Sequence, residues 1–169
     1  LSVPAALQMG ICCLKNAEPG SNDDFVKGLQ YIQDRKRVVK RILKGKGSLG
    51  NDTPIMSAHG KDFCHELPQR EYDPDKAKFH LKEAGLSSLT VNLSAADAAF
   101  SGAVDAAVLY REHAAKAGID VVVEREPNDG YWSNVWLKKP FCLCSWGQRP
   151  TPDVMFTLAY SEGAAWNDS

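Results

Sequence analysis

The chain reads as an α/β protein with a mostly parallel sheet flanked by helices, and three observations carry that reading. Strand-like runs alternate with helical ones: "LTVNL" precedes a helical stretch from about Ser101 to Lys116, "IDVVVERE" precedes a short helix or turn, and "FCLCSW" closes the series. The stretch "YDPDKAKFHLKEAG" carries a full set of helix signals. The last apolar run, Phe141 to Trp146, stops on Gly147 and opens into a polar loop stiffened by Pro150 and Pro152. In parallel sheets, ligands bind beyond the carboxyl ends of strands. Two segments fall at such ends, "SAAD" after "LTVNL" and "GQRPTPD" after "FCLCSW".

Taken in order, "LQMGICCLK" alternates loosely and is rich in strand-compatible residues, so it is the first strand. "NAEPGSNDD" is a turn with candidate N-caps, after which Phe25, Leu29 and Ile32 share a helical face. Asp34 is placed to cap a second helix carrying Val38, Val39, Ile42 and Leu43 and ending at Gly45. The basic residues of "DRKRVVKRILKGK" interleave with that stripe, so they form the wet face of an amphipathic helix rather than a nucleic-acid site. Residues 45–70 read as loop. In the next helix Asp73 is the N-cap, Pro74 the first helical residue and Asp75 an acid at the positive dipole end. Ala77, Leu81 and Ala84 form its inner stripe, and Gly85 ends it. "NDGYWSNVWLKK" places Trp132 and Trp136 on one side of a short helix or turn. "VMFTLAY" is a final helix, for which Asp153 is the expected cap.

The 169 residues suffice for one hydrophobic core, with 44% apolar and 24% charged residues. A net charge of −1 offers no general attraction for nucleic acid or a membrane surface. No apolar stretch approaches the ~20 residues of a membrane span. The opening "LSVPAALQ" has no initiator Met and no signal peptide, and both ends read as cut. Five cysteines leave one odd. Buried thiols are the expected state, with a bridge from Cys64 to Cys142 or Cys144 left open as an alternative. Cys142 and Cys144 lack a second ligand pair, and His59, His65, His80 and His113 show no ligand spacing, so neither metal nor cofactor is expected. There is no Gly-x-Ser-x-Gly and no phosphate loop; "GKGSLGND" follows a helix, the wrong context for phosphate. An enzyme, or an interaction domain without a small ligand, remains the alternative class.

At this point the residues resemble a known family. "YDPDKAKFHLKEAGL", a helix ending in "AAKAGIDVVV", then "YW" and a strand ending in "SWG" before "PTPD" are similar to the family 5 extracellular solute-binding proteins. These are receptors of ABC importers for peptides, nickel complexes, opines and related solutes. "FVKGLQYIQDRKRVVKRILKGKG" resembles the family's helix pair around an Asp-Arg. The resemblance extends over nearly all of the sequence. It implies a periplasmic-binding-protein-like lobe, with residues 1–169 forming most of the second, C-terminal lobe and with the first lobe and the extreme C-terminus absent. It also implies a binding protein rather than an enzyme, periplasmic or lipid-anchored outside the cell. Its partners would be a small solute and the membrane permease, not nucleic acid.

The resemblance also points to site residues. In peptide-binding members an Asp three residues past the Trp pairs with the ligand's ammonium. Here that position, counted from Trp146, is Arg149. A guanidinium suits a carboxylate or phosphate instead. Dipeptide binders place a carboxylate-binding Arg near the strand end that here holds Ser94 and Asp97. The charges are therefore exchanged, with an anionic ligand group expected toward Arg149 and a cationic one toward Asp97. Opine-like or modified amino-acid solutes fit, as does a peptide bound in another orientation. Nickel, if relevant, would arrive already chelated by a small organic ligand. Each residue keeps a plainer reading: Trp146 fills the core, Arg149 is solvated or paired with Asp153, and Asp97 caps the following helix. Tyr131, Trp132 and Trp136 pack the short helix on the sheet, or one of them faces the cleft.

Overall fold

The computed structural model describes residues 7–86 and 88–167; readings of the first six and last two residues lie outside it. Four strands form one sheet in the order β1-β4-β2-β3. They are β1 (Leu7–Cys13), β2 (Leu89–Ala95), β3 (Ile119–Arg125) and β4 (Phe141–Gly147). β2 runs parallel to both β3 and β4, and β1 runs antiparallel to β4. The parallel pair β2–β3 needs a crossover, which the helix α4 (Ala103–Ala115) supplies across that face of the sheet. The mostly parallel sheet expected from the alternation is present, with the first strand as its antiparallel member.

Burial explains which runs became which strand. Phe141, Cys142, Leu143 and Cys144 are all buried, as befits an inner strand covered on both faces. At the edge, β3 alternates, with Ile119 and Val121 inside and Asp120 and Val122 outside. Two further helices, α1 (Asp23–Tyr31) and α3 (Pro74–Glu83), pack on each other. Phe25, Leu29, Ile32, Ala77 and Leu81 are buried there. The approach is close at Gly28, where a methyl group would stand 3.4 Å from the Ala77 carbonyl oxygen.

The caps follow the sequence except in one place. Asn22 accepts the amides of Asp24 and Phe25, Asp34 accepts that of Arg37 and Asp73 that of Lys76. The last helix, α6 (Pro152–Ala159), is capped by Thr151 rather than Asp153; Thr151 Oγ1 accepts the Val154 amide at 3.4 Å. Pro152 takes the first helical position, which sets the cap at the residue before it and leaves Asp153 in the first turn beside the positive dipole end.

The short helix α2 (Arg35–Arg41) departs from expectation, because none of its residues is buried. Its apolar stripe instead lines a groove of about 820 Å³ with Met9, Ile11, Phe100 and Tyr110. His113 also faces this groove; burial holds its pKa below the ordinary imidazole range, so the ring is neutral at pH 7. The long loop after α2 is pinned from the helix: the Arg35 guanidinium pairs with Asp52, which also binds Arg70 Nε at 2.9 Å. Cys64 is exposed on this loop whereas Cys142 and Cys144 lie inside β4, so no bridge joins them. Burial pushes the Cys13 thiol up to about 11, which keeps it protonated and unreactive.

Leu93, fully buried at the centre of β2, tests this packing. Leu93→Ala should destabilise the full-length protein by about 2–5 kcal/mol in denaturant unfolding. The exposed edge residue Val122, changed to Ala, should shift stability by no more than ~0.5 kcal/mol.

Candidate functional site: a tryptophan array beside a charged rim

Because β2, β3 and β4 run parallel, their carboxyl ends lie along one edge, at Ala95, Arg125 and Gly147. Tyr131 anchors what is built there. It opens the short helix α5 (Tyr131–Asn134), is buried, and donates its hydroxyl to the Leu143 carbonyl at 2.7 Å, with the Ser94 carbonyl at 3.3 Å. Burial pushes its pKa far above the phenol range, so the donor is always present.

From this anchor the tryptophans run outward. Trp132 meets Trp136 edge-on at 5.6 Å between centroids, and Trp136 meets Trp146 in the same way at 5.7 Å. Trp166, which follows α6, completes the group at 6.3 Å from Trp146 and 6.4 Å from Trp136. All four tryptophans of the sequence thus form one array. Its outer members are open, Trp132 being 41% and Trp166 44% exposed. Trp146 serves packing as well as the array, since it rests on Ile55, Met155 and Ala159.

Arg149 sits on this array. Its guanidinium carbon lies 5.8 Å from the Trp146 ring centroid and 5.9 Å from that of Trp166. It forms no ion pair with Asp153 or with any other described residue, and its buried Nε has no partner among them. The Arg149 carbonyl is 3.0 Å from His59 Nε2, and the other ring nitrogen of His59 is 3.1 Å from the Met56 carbonyl. This histidine therefore ties the loop after β4 to the 3₁₀ turn Ser57–Asp62.

Ser94 and Asp97 belong to a second, polar part of the rim. The buried Ser94 hydroxyl donates to Glu126 at 2.9 Å, and Lys139 Nζ binds Glu126 at 2.6 Å and Glu124 at 3.2 Å. Asn92 donates to Glu124 at 2.7 Å. Asp97 accepts the Val104 amide at 3.2 Å, capping α4, whose own cap position is the side-chain-less Gly102. It remains exposed and lines a polar cleft of about 220 Å³ with Arg125, Glu126 and Asn128.

The fold thus joins Trp132, Trp146 and Arg149 in one array and sets Ser94 and Asp97 apart from it. Sequence reading passed over Trp166, Glu124, Glu126 and Lys139. The strand alternation of "IDVVVERE" did place both glutamates on one face. Nothing local marks Trp166. Among the described residues no three His, Cys, Asp or Glu side chains gather as a metal site, and no helix is long and apolar enough to cross a membrane.

Comparison with known families decides the relationship. The sequence model described as "Bacterial extracellular solute-binding proteins, family 5 Middle" matches residues 5–168. The chain belongs to this family. Its members are bacterial extracellular solute-binding proteins, the family that the sequence motifs resemble. A comparison with curated proteins gave no match.

Solved structures share the fold at low identity. HbpA2 from Haemophilus parasuis superposes with a TM-score of 0.82 at 19% identity, covering 95% of this chain and 32% of that one. NikZ from Campylobacter jejuni, in complex with Ni(L-His), gives 0.80 at 21% identity, covering 97% and 35%. AgaA from A. tumefacien R10, in complex with agropinic acid, gives 0.79 at 20% identity, covering 93% and 32%. The chain spans about a third of the length of each.

The Glu126 network makes a pH prediction. The Lys139 hydrogen bond holds the Glu126 carboxyl below the usual range against the opposing effect of burial, with Ser94 assisting. A depressed carboxylate pKa contributes stability that is present above the ordinary value and is lost as pH falls through the lowered one. Melting temperature should therefore hold at neutral pH and fall as the pH drops below the ordinary carboxylate value. Glu126→Gln should lower stability at neutral pH and flatten that part of the decline.

Proposed function

We propose that this chain is most of the second lobe of an ABC-importer solute receptor, which captures a peptide-like or opine-like small solute between two lobes and hands it to a membrane permease. The receptor acts in the periplasm or, lipid-anchored, on the outer face of the cell. The observation that carries this reading is the partly open tryptophan array at the carboxyl edge of the parallel strands. Aromatic faces clustered at such an edge suit the apolar part of a small ligand, and a few polar groups nearby fix its orientation. The family match and the small solutes bound by NikZ and AgaA support the same class.

Work of this kind is conformational. The open receptor samples closure, and a solute touching both lobes stabilises the closed form because it contacts more surface there. Specificity follows from which charges and apolar faces meet across the cleft. No step requires a nucleophile or a resident metal.

The test uses the full-length protein in a thermal-shift screen of peptides, acylated amino acids, opine-type acids and nickel–histidine complexes. A bound solute at about 100 times its dissociation constant adds ~2.7 kcal/mol to stability. Trp136→Ala and Trp132→Ala should weaken that solute while the ligand-free protein still melts cooperatively. Stabilisation unaffected by either change would remove the array from the binding site, and turnover of the solute would favour an enzyme instead.

A further inference from the structure

We infer that Trp146, Arg149 and Trp166 act as one device that reads a planar carboxylate, with Trp166 as the positioning residue for the Arg149 guanidinium. This deepens the receptor reading and rests on it. The guanidinium carbon and the two indole centroids form a nearly equilateral triangle, with sides of 5.8, 5.9 and 6.3 Å. The two rings are inclined at 61°, and the guanidinium carbon lies at nearly equal distance from both.

Each indole attracts the cation through its π face, yet neither accepts an N–H bond in the guanidinium plane. The in-plane donors stay available, and no described carboxylate pairs with them. A half-buried cation without a counter-charge is an incomplete arrangement; an anion supplies the missing partner. The planar fork matches the two oxygens of a carboxylate, whereas a ligand ammonium would be repelled.

Preorganisation favours the same conclusion. An arginine side chain free in water loses rotamer freedom on binding; the two indoles remove part of that cost beforehand, while the His59 contact to the Arg149 carbonyl at 3.0 Å holds the loop backbone that presents it. Trp166 is 44% exposed, and among the described residues its ring contacts are to Trp136, Trp146 and Arg149. The chemical class of the solute is therefore a small organic acid with a free carboxylate beside an apolar or flat portion that lies on the array.

The experiment measures affinities of N-acetyl-dialanine and hippurate, each against its own carboxamide and with free dialanine as a third probe, by calorimetry on the full-length protein. Wild type should prefer each acid to its amide by at least about tenfold. Arg149→Gln should erase that preference. Trp166→Leu should weaken the acids by roughly five- to thirtyfold, leave the amides unchanged, and be largely rescued by Trp166→Phe. Equal binding of acid and amide by wild type, or equal loss of both in Trp166→Leu, overturns the carboxylate reading while leaving a receptor. Failure of wild type to bind these probes or any solute of the wider screen overturns the receptor reading and this inference together. Melting of each ligand-free variant distinguishes a lost contact from a lost fold.

Discussion

The parallel pairing of β2 with both β3 and β4 is the constraint on which the rest depends. A parallel neighbour obliges the backbone to return to the starting edge before each new strand, so β2, β3 and β4 each discharge their following loop at the same rim, while the antiparallel β1 does not. Ser94 stands opposite Glu124 on one side and Cys142 on the other, which fixes how far each strand end projects. With Leu93 and Ser94 buried in β2 between two partners, that register cannot slip without turning apolar side chains outward. The tryptophan array and the charged network are consequences of this one alignment.

Tyr131 joins the two halves of the rim. Its hydroxyl binds the backbone of β4 and lies against that of β2, beneath the point where Trp132 and Trp136 depart. The same turn delivers Lys139 to the two glutamates, which raise its pKa through hydrogen bonding. The halves differ in how their charges are settled. Glu124 and Glu126 are met by Lys139, Asn92 and Ser94, so their acceptors are largely in use. Among the described residues the Arg149 guanidinium is met by aromatic faces, which stabilise a cation without occupying its donors. That asymmetry, rather than the number of charges at the edge, sets Arg149 apart from the other charged groups of the rim.

The structural relatives place this arrangement in context. At 19–21% identity the lobe keeps its topology, since layered packing tolerates extensive exchange of similar apolar residues. Loop positions at the rim carry no such packing demand and are where one fold accepts different cargo. Arg149 lies on such a loop, three residues beyond Trp146.

The sequence by itself determined the local features. Asp73, Pro74 and Gly85 bracket α3 because capping and φ restriction act within a few residues. Even local rules have limited resolution: Thr151 displaced Asp153 as the α6 cap by two positions because Pro152 takes the first turn. The motif around Trp146 also helped make the family legible. Strand direction was not legible, since alternation of apolar residues is the same read either way, and so the antiparallel β1 emerged only on folding. Asp97 as a cap of the following helix was legible too, whereas the tertiary structure alone engaged Ser94 with Glu126 and brought Trp166 to Arg149. The physical reason is range: caps and periodicity are encoded between near neighbours, whereas a binding rim is assembled from strand ends and loops that only the register of the sheet brings together.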